Sequence, residues 1–339
     1  MILTTVGQVT RNRKGFLIAV HEGFKKHPLM TQDTHPARLA IKIDVDTDRG
    51  TRDGVLPLAR LCQRLGVPAT FLFSLGPDNT GKAITRVFRP GFFKKVTRTN
   101  VAGNYGLRTL LSGTILPAPD IGRRRADVMR AVRDMGFEVG IHCWDHFAWQ
   151  DYLQKRPLAF AREQFQRAQD AFIRIFGEPA QTAGAPGWQA NAYSLQVYDE
   201  HQLLYGSDTR GAGPFFPSVQ GKVFRTLQIP TTLPTLDEWL GRAEYPEDRV
   251  VPCYLELLAQ GGDHVHTIHA EMEGLRFATL FEDLLQRAKD SGIAFFNTAE
   301  LAKSLLAQRN QLPVAEVVQG EIDGRSGTLA LQKLNLQIF

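Results

Sequence analysis

The sequence predicts an α/β fold on a parallel sheet, closed into a barrel or left open, and three observations predict it. Apolar, strand-like runs alternate with stretches of helical period along most of the chain. Repeated strand-then-helix units imply parallel strands. Polar groups gather where the strand-like runs end, at Asp44 and Asp46, His142 and His146, Asp208 and His269. Barrels of this kind build their active sites at the C-terminal ends of the strands. The length, 339 residues, suits one such barrel of about 250 residues with an insertion and tails.

In chain order, Leu39–Asp44 is the first apolar run, and Val55, Leu58, Leu61, Cys62 and Leu65 follow with the i, i+3, i+4 spacing of an amphipathic helix. Gly66 stops that helix and Pro68 follows it. Ala69–Leu75 reads as a buried strand, Arg123–Met135 as a helix, Phe137–His142 as a strand, and Pro157–Phe176 as a long helix closed by Gly177. Strands are expected near Gln181–Ala185, Tyr205–Asp208, Phe224–Ile229, His264–Ala270 and Ala294–Phe296, with helices over Leu275–Lys289 and Thr298–Gln308. Two regions break the rhythm. Gly76–Gly122 is far longer than an ordinary strand-to-helix loop, and the tail after Gln311 has no clear period.

Composition narrows the class. Apolar residues at 43% and charged residues at 22% are ordinary for a globular protein, and a net charge of +5 is mild. Cys62, Cys143 and Cys253 are odd in number and scattered, which argues against a disulfide framework and for a reducing compartment. No apolar run approaches the ~20 residues of a membrane span. Arg11, Arg13 and Lys14 precede an apolar run, Gly15–Val20, that is too short for a signal-peptide core. These features are those of a cytoplasmic protein, with residues 1–38 an extension of unassigned role.

The chemistry sits in two motifs. Asp44-Val45-Asp46 closes the first apolar run, and His142 and His146 close the run at Phe137–His142. One hard oxygen ligand, two imidazoles and a spare carboxylate are the inventory of a metal-activated water and its general base. A spacing of four places the two imidazoles on one side of a helical turn. Cys143 follows His142, so there is no zincin glutamate. Alternation along a strand puts Asp44 and Asp46 on one face. A set of two histidines and one carboxylate also suits non-haem Fe(II) oxygenases, but the strand-and-helix rhythm differs from their β-sandwich.

KIDVDT, GIHCWDH and TIHAE, in this order, resemble the motifs of the polysaccharide deacetylase family, the NodB-homology carbohydrate esterases. The resemblance implies a NodB-type distorted (β/α) barrel over residues 39–308 with an inserted amphipathic segment at 76–122 and a tail at 309–339. It implies Asp44 as general base, Asp46, His142 and His146 as ligands of one divalent ion (Zn, Mn or Co), and His269 as general acid. Spacing alone leaves His264 and His266 open for that last role. IDVDTDRGTRDG, FSLGPDNTGK, GIHCWDHFAWQ, AGAPGWQA, SDTRGAGPF, IPTTLPTLDEW and TIHAEMEG are similar to one branch of the family, over roughly Ala40 to Leu305. That branch removes the formyl group from a 4-formamido sugar carried on undecaprenyl phosphate. Its product modifies lipid A against cationic antimicrobial peptides. A deacetylase of peptidoglycan or of another amide is the second expectation. The family's third motif usually carries an arginine that orients the base. AGAPGW has none, and Arg210 is expected to take that place, with Asp208 orienting it or a histidine or only capping a strand end, and Trp188 lining a sugar pocket or serving as an ordinary core or rim residue.

The insertion suggests a partner. Lys82, Arg86 and Arg89 alternate with Ile84, Val87 and Phe88, and after Pro90-Gly91 the pattern recurs with Phe92, Phe93 and Val96 beside Lys94, Lys95 and Arg98. Two short basic amphipathic helices read as an interfacial membrane element, with cations for headgroups and substrate phosphate and Phe for the acyl boundary. The expected partners are a polyprenyl-phosphate-linked sugar and the cytoplasmic face of the inner membrane. A solvated basic face packed on the barrel is the plainer alternative. Nucleic acid is a poor partner, since no base-stacking module accompanies the charge.

Overall fold

The computed structural model describes residues 36–83 and 107–334. Strand β1 (Arg38–Val45) is buried along almost its whole length, and every residue of β2 (Ala69–Ser74) is buried. Such continuous burial is what a parallel strand covered on both faces requires. Between them, helix α1 (Val55–Leu65) presents Val55, Leu58, Ala59, Cys62 and Leu65 to the core and ends on Gly66 in the left-handed region, φ 66°. A side chain there would be strained, so the glycine sets the turn into β2.

The remaining strands of this part of the chain are β3 (Glu138–Cys143), β4 (Thr182–Ala183), β5 (Tyr205–Gly206), β6 (Phe216–Val219), β7 (Lys222–Val223), β8 (Leu227–Gln228), β9 (Asp263–His269) and β10 (Ala294–Phe295). One parallel sheet runs β10-β1-β2-β3-β4-β5-β8, and β9 pairs with β1. The backbone N–H groups of Thr232 and Leu233 both donate to Val265 O, at 3.1 and 3.3 Å, so the chain after β8 reaches β9 and the sheet curls nearly shut. This is the distorted (β/α) barrel expected from the sequence. Helices α2 (Ala126–Asp134), α3 (His146–Tyr152), α4 (Leu158–Phe176), α5 (Ala192–Glu200), α6 (Glu247–Leu258), α7 (Ala278–Asp290) and α8 (Thr298–Ala307) clothe it. The expected helix at Arg123–Met135 is interrupted at Arg125, the residue between a short turn at Ile121–Arg124 and α2.

The tail has more structure than its sequence pattern suggested. Strands β11 (Val314–Gly320) and β12 (Leu329–Gln332) pair with each other, and β11 lies beside β6 in a second sheet, β12-β11-β6-β7. Arg210 is stitched to this tail: its N–H donates to Ala330 O at 3.0 Å, and its carbonyl accepts from Gln332 N at 2.8 Å.

Candidate active site

Lys42 and Asp44 fall on one face of β1 by alternation, opposite Ile41, Ile43 and Val45, and Asp46 stands one residue past the strand's end. The parallel register aligns Lys42 with Thr267 and Asp44 with His269 on β9, and paired residues share a face. His264 and His266 belong to the other face. His266 lies against the Tyr254 ring of α6, with centroids 4.6 Å apart, and burial pushes it down to about 3. His269 is therefore the β9 histidine that stands beside Asp44.

The two motif histidines do not share a helix. His142 is on β3, whereas His146 is the first residue of α3, and the strand-to-helix turn brings their rings to 5.3 Å. Asp145 caps α3 by accepting from Ala148 N at 2.9 Å, and Asn79 Nδ2 donates to Asp145 Oδ2 at 2.6 Å. The cap fixes where His146 points. His142 Nδ1 donates to Gly184 O at 2.6 Å, which assigns the ring proton to Nδ1 in the neutral imidazole and leaves a lone pair on Nε2.

That lone pair faces Asp46 Oδ1 at 3.1 Å, and His146 Nε2 is 3.5 Å from the same oxygen. One ligand atom from each of Asp46, His142 and His146 lies within 4.8 Å of the others. Asp46 Oδ1 and Asp44 Oδ1 are buried and accept no hydrogen bond. Acceptors converging at such distances need a positive charge among them. One anionic oxygen and two imidazole nitrogens are a fitting donor set for a divalent cation with positions left open. The protonation pattern answers the same need. Burial pushes the Asp46 carboxyl up, but His146 and His142 outweigh it and hold it far below the carboxylate range. Burial pushes His142 down, but Asp44 and Asp46 raise it on balance.

The turn that carries Asp46 is clamped by a residue that sequence reasoning passed over. Glu271 Oε1 accepts from Asp46 N at 3.1 Å, Thr47 N at 2.9 Å and Thr47 Oγ1 at 2.8 Å. A Cβ at position 50 would collide with the same oxygen, so Gly50 gives the clamp its room. Burial, then the charge of Asp46, pushes the Glu271 carboxyl well up. Glu273 does the same for His269, with Oε2 accepting from His269 N at 2.9 Å, and burial pushes it up to about 7.

The expected base-orienting pair is placed elsewhere. Arg210 donates to Glu238 Oε1 at 2.6 Å and to Leu233 O at 2.9 Å, and its guanidinium lies over the Trp188 ring at 5.2 Å. Among the described residues, Asp208 has no hydrogen bond or ion pair with Arg210 or a histidine. It accepts from Ala185 N at 2.6 Å, Tyr198 OH at 3.0 Å and Gln228 Nε2 at 3.0 Å, and burial pushes it up to about 6. It therefore anchors the loop whose Gly184 carbonyl orients His142. Trp188 is buried behind that loop and donates to Thr231 Oγ1 at 3.1 Å. The cation that does approach Asp44 is Lys42, at 3.6 Å from Oδ2. The signal for it was a lysine two residues before the aspartate, inside an otherwise apolar run.

Both ends of the expected insertion leave the barrel at this rim. Gly76 N donates to Trp144 O and Ile121 N to Gly76 O, each at 2.9 Å. Lys82 lies among the described residues; Arg86, Arg89, Phe92, Phe93, Lys94, Lys95 and Arg98 lie outside them.

Comparison with known proteins bears on this geometry. The polysaccharide deacetylase family matches residues 45–206. A probable 4-deoxy-4-formamido-L-arabinose-phosphoundecaprenol deformylase ArnD of Shewanella sediminis is 36% identical over 87% of this chain and 94% of its own length. The protein of the same name from Wigglesworthia glossinidia brevipalpis is 32% identical over 84% of this chain and 98% of its own. A crystal structure of a putative polysaccharide deacetylase from Mycobacterium smegmatis superposes with a TM-score of 0.59 at 15% identity, over 85% of this chain and 96% of that one.

Proposed function

The chain belongs to the 4-deoxy-4-formamido-L-arabinose-phosphoundecaprenol deformylase family, a branch of the polysaccharide deacetylases, and from that premise we propose that it hydrolyses the formamide of an undecaprenyl-phosphate 4-formamido sugar. As a hydrolase of a linear amide C–N bond it would release formate and leave a 4-amino sugar on the lipid. The observation that carries the reading is the meeting of Asp46, His142 and His146 within 4.8 Å, beside Asp44 and its register partner His269.

Asp46, His142 through Nε2 and His146 would hold a divalent ion, with Zn, Mn and Co all compatible with the donor set. Such an ion supplies a Lewis acid that makes water more acidic and polarises a carbonyl oxygen. Asp44, with Oδ1 unpartnered, takes the proton of the attacking water as its oxygen adds to the formyl carbon. The C–N bond then breaks, and His269 protonates the departing nitrogen, which cannot leave as an amide anion at neutral pH. Glu273, holding the His269 backbone, and Glu271, holding that of Asp46, keep acid and ligand in register.

Incubation with the formylated lipid-linked sugar is expected to release formate and the corresponding formyl mass. A chelator should stop the reaction and added divalent metal should restore it. Retention of the formyl mass under every metal condition would defeat the reading, and release of acetate from an N-acetyl glycan instead would favour the deacetylase alternative.

The substrate reading carries a membrane reading with it. Among the described residues no helix is long and apolar enough to cross a membrane. The basic and aromatic residues of segment 82–98 would instead hold the protein peripherally on the cytoplasmic face of the inner membrane. Changing Phe92, Phe93, Lys94 and Lys95 together to Ser is expected to abolish co-sedimentation with anionic vesicles. Sedimentation equal to the unaltered protein's would count against the membrane role.

A further inference from the structure

We infer that Lys42 is the positioning residue for the general base, acting on the Asp44 carboxylate from inside the barrel; the inference rests on the role given to Asp44 above. Both side chains are almost fully buried, with 3% and 4% of their surface exposed, and Lys42 Nζ stands 3.6 Å from Asp44 Oδ2. A buried ammonium is costly unless its donors are used and its charge is matched. Here one donor is fixed on the Ser207 carbonyl at 2.9 Å, and the Trp188 ring lies 5.6 Å from Nζ. The loop glycine at 184 leaves the ammonium its space, since a Cβ there would stand 3.2 Å from Nζ.

The separation matters. At 3.6 Å the pair is held by charge and not by a hydrogen bond. Asp44 is thereby drawn into one orientation without a donor capping the lone pair that a base must keep open. Alternation along β1 delivers this arrangement: Lys42 and Asp44 are successive residues of a single face, so positioning cation and base ride on one rigid strand, and Asp46 follows in the turn just past its end. Arg210, committed to Glu238 and the Leu233 carbonyl, is tied up elsewhere.

The test uses full-length, metal-loaded protein and the formylated undecaprenyl-phosphate sugar. Lys42→Met is expected to lower kcat about 100-fold, the scale of a misplaced catalytic group, with KM and bound metal unchanged. Lys42→Arg should recover most of the rate. In an Asp44→Asn background, Lys42→Met should lower kcat by no more than about twofold, because the group it acts through is gone. Unchanged kcat in Lys42→Met overturns the inference. So does a loss that is fully additive with Asp44→Asn, or one accompanied by loss of metal. If both Lys42→Met and Lys42→Gln fail to fold, Lys42 serves the scaffold and the inference falls. Unaltered protein that leaves the formamide intact would instead sink the proposed function itself, an outcome distinguishable from all of these.

Discussion

Asp46→Ala protein is expected to bind no stoichiometric divalent ion and to lose turnover by about a thousandfold, equivalent to about 4 kcal/mol of transition-state stabilisation. Asp46 is the single anionic donor of its cluster, and both imidazole nitrogens converge on its Oδ1, at 3.1 and 3.5 Å. Without that oxygen two neutral nitrogens remain, and neither offsets the charge of a cation in a buried site. The fold should survive, because Glu271 grips the backbone at positions 46 and 47 and the Thr47 hydroxyl, none of which needs the Asp46 side chain. Elemental analysis of dialysed protein, with formate release measured in parallel, checks both halves. One ion per chain retained in Asp46→Ala would place the metal on other residues.

Asp44→Asn should give the opposite signature: full metal content, with kcat reduced by about 10²- to 10⁴-fold, the usual contribution of a general base. Asn keeps the shape of the side chain and removes the charge and the basic lone pair. The two carboxylates are two residues apart, Asp44 near the end of β1 and Asp46 in the turn just past it, and their surroundings distinguish them. Asp46 faces the imidazole nitrogens, whereas Asp44 faces Lys42 and lies 3.9 Å from His142 Nδ1, an atom already engaged by Gly184 O. Paired measurements of metal content and kcat separate the roles. Equal loss of metal in both variants would mean that the carboxylates act as one ligand pair.

Much of this site was legible because its information is local. The alternation of β1 and the apolar run of β3 could each be read within a few residues, and the motif residues were found at the ends of those strands. What the sequence left hidden depends on partners far away in the chain. Arg210 looked available because nothing near it reveals Glu238, 28 residues on, or the carbonyl of Leu233. Lys42 drew no role from the sequence because its match at Ser207 O is 165 residues distant. The His142–His146 spacing suggested one helix, but Asp145 is a helix cap, so the strand ends and the helix starts between the two histidines. The tail strands were missed for a similar reason. In β11 only Val317 is buried, so there is no clean alternation, and its partner β6 lies about a hundred residues upstream.

The pairing of β1 with β9 has a consequence for biosynthesis. Arg38 and its ion-pair partner Asp263 are separated by 225 positions, so at a ribosomal pace of about 5–20 residues per second the first strand waits roughly 11–45 s for its neighbour. Throughout that interval one flank of an apolar strand offers unpaired N–H and carbonyl groups, an invitation to misassembly that chaperones would have to shield. A chain stalled before β9 would already carry Asp46, His142 and His146, yet it would lack both His269 and the strand that seals the barrel around them.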